Sequence, residues 1–168
     1  MERFPYRNVR FLDLEEGGFH NKADWENPSL VPAGMAMRDP LVQGRYDRNF
    51  ELLVSLFEPL LSDVRAVFTH NPWGEYGHED HVQVHQATRA IVSRRDTRLM
   101  VPAHCARKSL AMMRKTARSV DPHPFSLRVD RQAALAIKHL YEDCGCWTYH
   151  KDWMPPEQDV FLTVKYGS

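Results

Sequence analysis

The chain has 168 residues, 43% hydrophobic and 26% charged, with 22 Lys plus Arg against 22 Asp plus Glu. That is one domain's worth of ordinary globular composition, enough to build a core without staples. The balanced charge leaves no excess of cations to neutralise phosphates, which argues against nucleic acid as the main partner. The three cysteines, Cys105, Cys144 and Cys146, make no disulfide framework and read as small thiols in a reducing compartment. No apolar run is long enough to span a bilayer, and the N-terminus lacks a signal-peptide core. A cytoplasmic protein is expected.

In chain order, "VRFLDL" at 9–14 reads as a short strand. A polar loop with Gly and Pro runs from Glu15 to about Arg45, long enough to suggest a functional segment. Phe50, Leu53, Phe57, Leu60 and Leu61 recur at helical spacing and predict a helix over about 46–62. "VRAVFTH", 64–70, reads as a buried strand that the Asn71-Pro72 turn ends. A helix over 79–95 follows, with Glu79 and Asp80 in its first turn and Arg94 and Arg95 in its last, as the helix dipole favours. A strand at 98–104, a basic helix over 106–119, a break at Pro122 and Pro124, a helix over 130–143, an aromatic loop "CWTYHKDW" and a strand at 159–166 complete the chain. Alternating strands and helices predict an α/β protein with a mostly parallel sheet, whose ligands bind at the carboxyl ends of the strands. Asp13, His70 and His104 fall at or near such ends.

The stretch "NPWGEYGHEDHVQVHQA", 71–87, concentrates the chemistry. His78, His81 and His85 share one face of a continuous helix. The zincin pattern H-E-x-x-H fails in both registers: "HEDH" is one residue short, and "HVQVH" has Val82 where the Glu belongs. A solvated helix end carrying histidines is the plain alternative for each residue alone. The glycines at 74 and 77, directly after a buried strand, allow a turn folded tightly around a ligand. His85, one turn on, reads as a surface or supporting position.

"THNPWGEYGHEDHVQVHQA" resembles the second signature of the PIG-L/LmbE-like zinc-dependent N-acetylglucosaminyl deacetylases, whose pattern is close to G-x-Y-G-H-P-D-H-x-x-x-H. Gly74, Tyr76, Gly77, His78, Asp80 and His81 match it, with Glu79 in place of the usual Pro. "VRFLDL" and "WTYHKDW" resemble other family segments more loosely. The resemblance implies a Rossmann-like fold with a mostly parallel sheet and flanking helices. It implies that His81 is a Zn2+ ligand, that His78 stabilises an oxyanion or protonates the leaving amine, that Asp80 orients His78, and that Tyr76 polarises the substrate carbonyl. It also implies an N-acetylated amino sugar or glycoconjugate as substrate, for which Trp73, Trp147, Tyr149 and Trp153 offer aromatic faces, or packing under a loop.

The family's first signature, His-Pro-Asp-Asp, supplies the remaining ligands and the base. This sequence has no Asp-Asp pair, and its one His-Pro, at His123-Pro124, runs on into Phe125 and Ser126. The resemblance therefore implies an incomplete domain, lacking the first βαβ unit and inactive without a segment or chain that carries it. A non-catalytic sugar-binding or protein-interaction module is the alternative. His70, His104 and Asp13 with His81 would make a substitute ligand set, against the plainer reading of satisfied strand-end residues.

Overall fold

The computed structural model describes residues 9, 10, 12, 14 and 17–166. Its elements, in chain order, are β1 (Leu30–Val31), β2 (Gly34–Met35), α1 (Pro40–Leu60), β3 (Ala66–Phe68), α2 (Glu79–Val92), β4 (Arg98–Pro102), α3 (Leu110–Thr116), β5 (Phe125–Arg128), α4 (Arg131–Asp143) and β6 (Gln158–Thr163). Helices and strands alternate through the middle of the chain, so the protein is α/β. Contacts divide it into two units, 1–15 with 126–159, and 16–125 with 160–168.

The larger unit carries the histidine segment. Asp39 caps α1 by accepting the N–H of Leu41 at 2.7 Å, and Pro40 at the first helical position needs no N–H partner. Val42, Tyr46 and Leu53 form its buried stripe, with Phe50 packed beside them. That stripe meets α2, where Val82, His85, Thr88, Ile91 and Val92 are buried. The two helices are also pinned by polar bonds inside the core. The Tyr46 hydroxyl donates to the Glu79 carbonyl at 2.9 Å, and Gln83 Nε2 donates to the Tyr46 carbonyl at 2.7 Å. Burial raises the Tyr46 hydroxyl pKa far above its ordinary value, so it stays a donor.

Under the helices, β3 and β4 run parallel, with Val67 opposite Leu99, and β6 pairs with β4 antiparallel, with Val101 opposite Leu162. Leu99 and Val101 are fully buried, as expected of a central strand covered on both faces. The sheet is therefore mixed rather than mostly parallel, because the chain returns through β6 against β4. Among the described residues, β3 stands at the end of the strand order, with no strand on its other edge.

Other expectations change in detail. Val9, Arg10, Leu12 and Leu14 are in no strand, while Phe11 and Asp13 lie outside the described residues. The long loop instead contains the β1–β2 hairpin, and α1 begins six residues early, at Pro40. The basic helix is broken into a 3-10 turn, the seven-residue α3 and a second 3-10 turn.

In the smaller unit, Asp130 caps α4 by accepting the N–H of Ala133 at 3.0 Å. Lys138, almost wholly buried, donates to the carbonyls of Lys151 and Trp153 at 2.6 and 3.1 Å and lies over the Trp147 ring. Trp147, Tyr149 and Trp153 pack on one another, so this loop is an aromatic cluster held to its helix. Among the described residues, no helix is long and apolar enough to cross a membrane.

Candidate metal centre

β3 ends at Phe68 and β4 at Pro102, and the two strands are parallel, so His70 and His104 lie just beyond the same sheet edge. The turn between β3 and α2 is built on Asn71, which is fully buried. Its Nδ2 donates to the carbonyls of Pro102 and His104, at 3.0 and 2.8 Å, and bolts the turn to the end of β4. Trp73 Nε1 donates to the same His104 carbonyl at 2.7 Å. Gly74, Glu75 and Gly77 then take positive φ values of 68°, 48° and 91°. At Gly74 a Cβ would stand 2.7 Å from the His78 carbonyl oxygen, so only glycine fits there. Glu75 is the costly member, a non-glycine residue in the left-handed region.

That backbone conformation accompanies an inward-turned carboxylate. Glu75 donates its N–H to Asn71 Oδ1 at 2.9 Å, and its Oε1 accepts the Asn71 N–H at 2.7 Å. Its Oε2 lies 2.5 Å from Nδ1 of His81 and 3.3 Å from Nδ1 of His70. The two imidazoles stack with centroids 3.8 Å apart. Burial alone would raise the Glu75 carboxyl, but the bonds from His70 and His81, the charge of His70 and the Asn71 N–H prevail and hold it at about 2. An ionised carboxylate only accepts, so Nδ1 of His81 carries the proton. Nε2 is then the ring's lone-pair atom, 3.2 Å from the Tyr76 hydroxyl. A carboxylate on one imidazole nitrogen is the usual support for a histidine that binds a metal through the other.

His70, Glu75 and His81 each bring a ligand-type atom within 4.8 Å of the others'. The donor chemistry, two imidazoles and a carboxylate, fits zinc or another divalent first-row ion. Glu75 already serves both rings, so among the described residues of this group the two histidines are the ones that could ligate a metal.

His78 is the N-cap of α2 rather than part of its face, and its Nδ1 accepts the Asp80 N–H at 3.3 Å. The Asp80 carboxylate is 3.6 Å from the same nitrogen. The backbone of Asp80 thus fixes the ring, and Nε2 of His78 carries its proton. Burial, with help from neighbouring His81 and His20, lowers the His78 pKa, which favours the neutral ring. Tyr76 is about half exposed and packs edge-on against both His78 and His81.

Glu79, read from the sequence as a first-turn charge, is fully buried. It accepts the N–H groups of Asn21 and Ala23 and the indole N–H of Trp25, at 3.2, 3.0 and 3.0 Å. It fastens the loop ahead of β1 to the start of α2. A second group with ligand-type atoms, His20, His78 and Glu79, shares this saturated carboxylate. His85 is fully buried, not on the surface, and its Nδ1 donates to the His70 carbonyl at 2.8 Å. Burial pushes its pKa down to about 4. Trp73 is buried with its N–H satisfied, so it offers no face to a sugar, and His104 contributes its carbonyl. Asp13 is outside the described residues. Glu75 was the residue that pattern reading missed; its only signal was its place between two glycines.

The fold and site together define an α/β protein with a histidine–carboxylate cluster beyond a parallel strand pair. A stretch of 74 residues, 43% of the chain, is 38% identical to a curated protein of Corynebacterium diphtheriae, 1D-myo-inositol 2-acetamido-2-deoxy-alpha-D-glucopyranoside deacetylase. The match spans 24% of that relative, so the chain corresponds to about a quarter of its length. No family model and no solved structure matches the chain.

Proposed function

We propose that this chain is the His81-bearing part of a zinc-dependent hydrolase of the N-acetyl amino-sugar deacetylase class, with a Rossmann-like fold of the PIG-L/LmbE type. The observation that carries the reading is His81 itself, whose Nδ1 is fixed by a buried carboxylate while Nε2 is left beside a phenol. The "GEYGHEDH" signature and the partial deacetylase relative support it. A divalent ion held by His81 and His70 would supply Lewis acidity and make hydroxide available near neutral pH. His78, with its proton on Nε2, donates to the charge that develops on an amide oxygen, and Tyr76 is the second donor. Asp80 keeps His78 in that tautomer.

The same reading calls for further ligands and a base, carried on a segment that adds to the open edge of β3. An edge strand offers unpaired ladder groups to an incoming strand. An apolar groove of about 580 Å³ runs along that edge from Phe57 and Leu60 through Val67 to His70, and Phe68 is half exposed there. A strand seated in it would end beside the histidines.

The test is release of free amine from an N-acetylglucosamine conjugate, by the chain alone and with a segment carrying an apolar strand followed by His-Pro-Asp-Asp, fused or in trans. No turnover alone and metal-dependent turnover with the segment are expected. Turnover by the chain alone would remove the need for a segment, and none in either case would remove the hydrolase reading.

A further inference from the structure

The larger unit holds a second polar cluster that deacetylation leaves unused. One turn after His81, the buried His85 donates from Nδ1 to the His70 carbonyl, so its Nε2 keeps a lone pair. That Nε2 is buried and has no hydrogen-bond partner among the described residues. A turn further on, Nε of Arg89 is enclosed and unpartnered as well. Native interiors rarely leave such atoms unmet, and each exception asks for an explanation.

Both side chains line one cavity of about 250 Å³. Gln86 from α2, Lys115 and Thr116 from α3 and Arg118 and Ser119 from the following 3-10 turn complete its polar wall. Among the described residues, no acidic side chain lines it. Arg89, Lys115 and Arg118 make no ion pair among the described residues. Lys115 and Arg118 are exposed and His85 is buried, so the cations stand toward solvent and the imidazole lies deepest. The hydroxyls of Thr116 and Ser119 give their protons to the carbonyls of Met112 and Thr116, at 2.9 and 2.7 Å, and so offer lone pairs.

The cavity therefore presents three positive groups, the neutral Gln86 amide, and lone-pair acceptors on His85, Thr116 and Ser119. Its complement is a doubly negative group joined to hydroxyls. We propose that it binds a small hydroxylated phosphate monoester, the phosphate on Arg89, Lys115 and Arg118 and the hydroxyls on His85, Thr116 and Ser119. Arginine and lysine are the ordinary phosphate partners. The volume is below the roughly 300–1,000 Å³ typical of drug-sized ligands, which limits the carbon skeleton to a few atoms. The inference stands apart from the deacetylase reading, since it uses none of the groups assigned to that chemistry.

The experiment is calorimetric titration of the full chain with glycerol phosphate, inorganic phosphate, sulfate and glycerol at constant ionic strength, near pH 8. Glycerol phosphate should bind saturably and at least tenfold tighter than sulfate, which has the same charge and no hydroxyl. Inorganic phosphate should fall between them, and glycerol should not bind. The double variant Lys115→Gln, Arg118→Gln alters exposed positions only and should weaken glycerol phosphate at least tenfold. Ser119→Ala should narrow its advantage over sulfate. Equal binding of glycerol phosphate and sulfate, or unchanged binding in the double variant, would overturn the proposal.

Discussion

Glu75 joins His81 to the turn that precedes it: Oε2 lies 2.5 Å from Nδ1 of the ring, and Oε1 accepts the Asn71 N–H. His81 is thus oriented by a residue that sequence pattern alone does not single out. Glu75→Gln keeps the size but offers only one acceptor oxygen where two are used. Zinc affinity of the chain should fall about 10- to 100-fold, the usual loss when a supporting carboxylate is removed. Competition against a chromogenic chelator reads this, and unchanged affinity would mean that Glu75 does not hold the ligand.

The chain alone should bind zinc weakly, because stable catalytic sites use three protein ligands and Glu75 is occupied in bridging His70 and His81. After dialysis, metal analysis should find well under one zinc per chain. One tightly held zinc would show that Glu75 turns from support to ligand, or that another local residue completes the site.

Acid should destabilise the fold in two windows. Burial lowers His85 from 6.5 to about 4, so its unfolded form takes a proton that the folded form refuses. That contribution is complete above pH 6.5 and is lost as pH falls toward 4. Glu75, lowered from 4.5 to about 2, contributes fully above pH 4.5 and loses it as pH falls toward 2. Each is worth about 3 kcal/mol by linkage. Urea unfolding at pH 7.5, 5 and 3 checks this. Glu75→Gln should flatten the lower window and leave the upper one, and a single transition confined below pH 4 would contradict the role of His85.

Glu79 is expected to matter for stability more than for chemistry. Its carboxylate satisfies three N–H groups in the core. Glu79→Ala should cost about 3 kcal/mol, the scale of leaving buried donors unmet, and should speed proteolytic cleavage near residues 20–25. Stability within 0.5 kcal/mol of the parent would refute the fastening role.

The segment around β3, α2 and β4 was readable because each element announces itself locally, through an apolar run, an Asn-Pro turn or an acidic first turn. The β1–β2 hairpin was not, since two-residue strands leave no alternation to detect. β5 was hidden by Pro122 and Pro124, and the antiparallel return of β6 depends on which edge of β4 is free, a tertiary matter. Within the candidate site, Tyr76, His78, Asp80 and His81 stood out as one contiguous signature. Glu75 needed a left-handed backbone to turn its carboxylate inward, and His85 needed the packing of α2 to show that it is buried. His70 was visible at a strand end, but its stacking on His81 comes only from bringing the turn back over the sheet edge.

The central claim is that His81 presents Nε2 to a metal while Glu75 holds Nδ1. Nitrogen-15 NMR of the histidine rings, recorded through a zinc titration, tests it directly. The account predicts that free His81 is the Nδ1–H tautomer and that its Nε2 resonance is the first to move as zinc is added. A free His81 protonated on Nε2, or an Nε2 resonance that stays in place while other histidines respond, would contradict it.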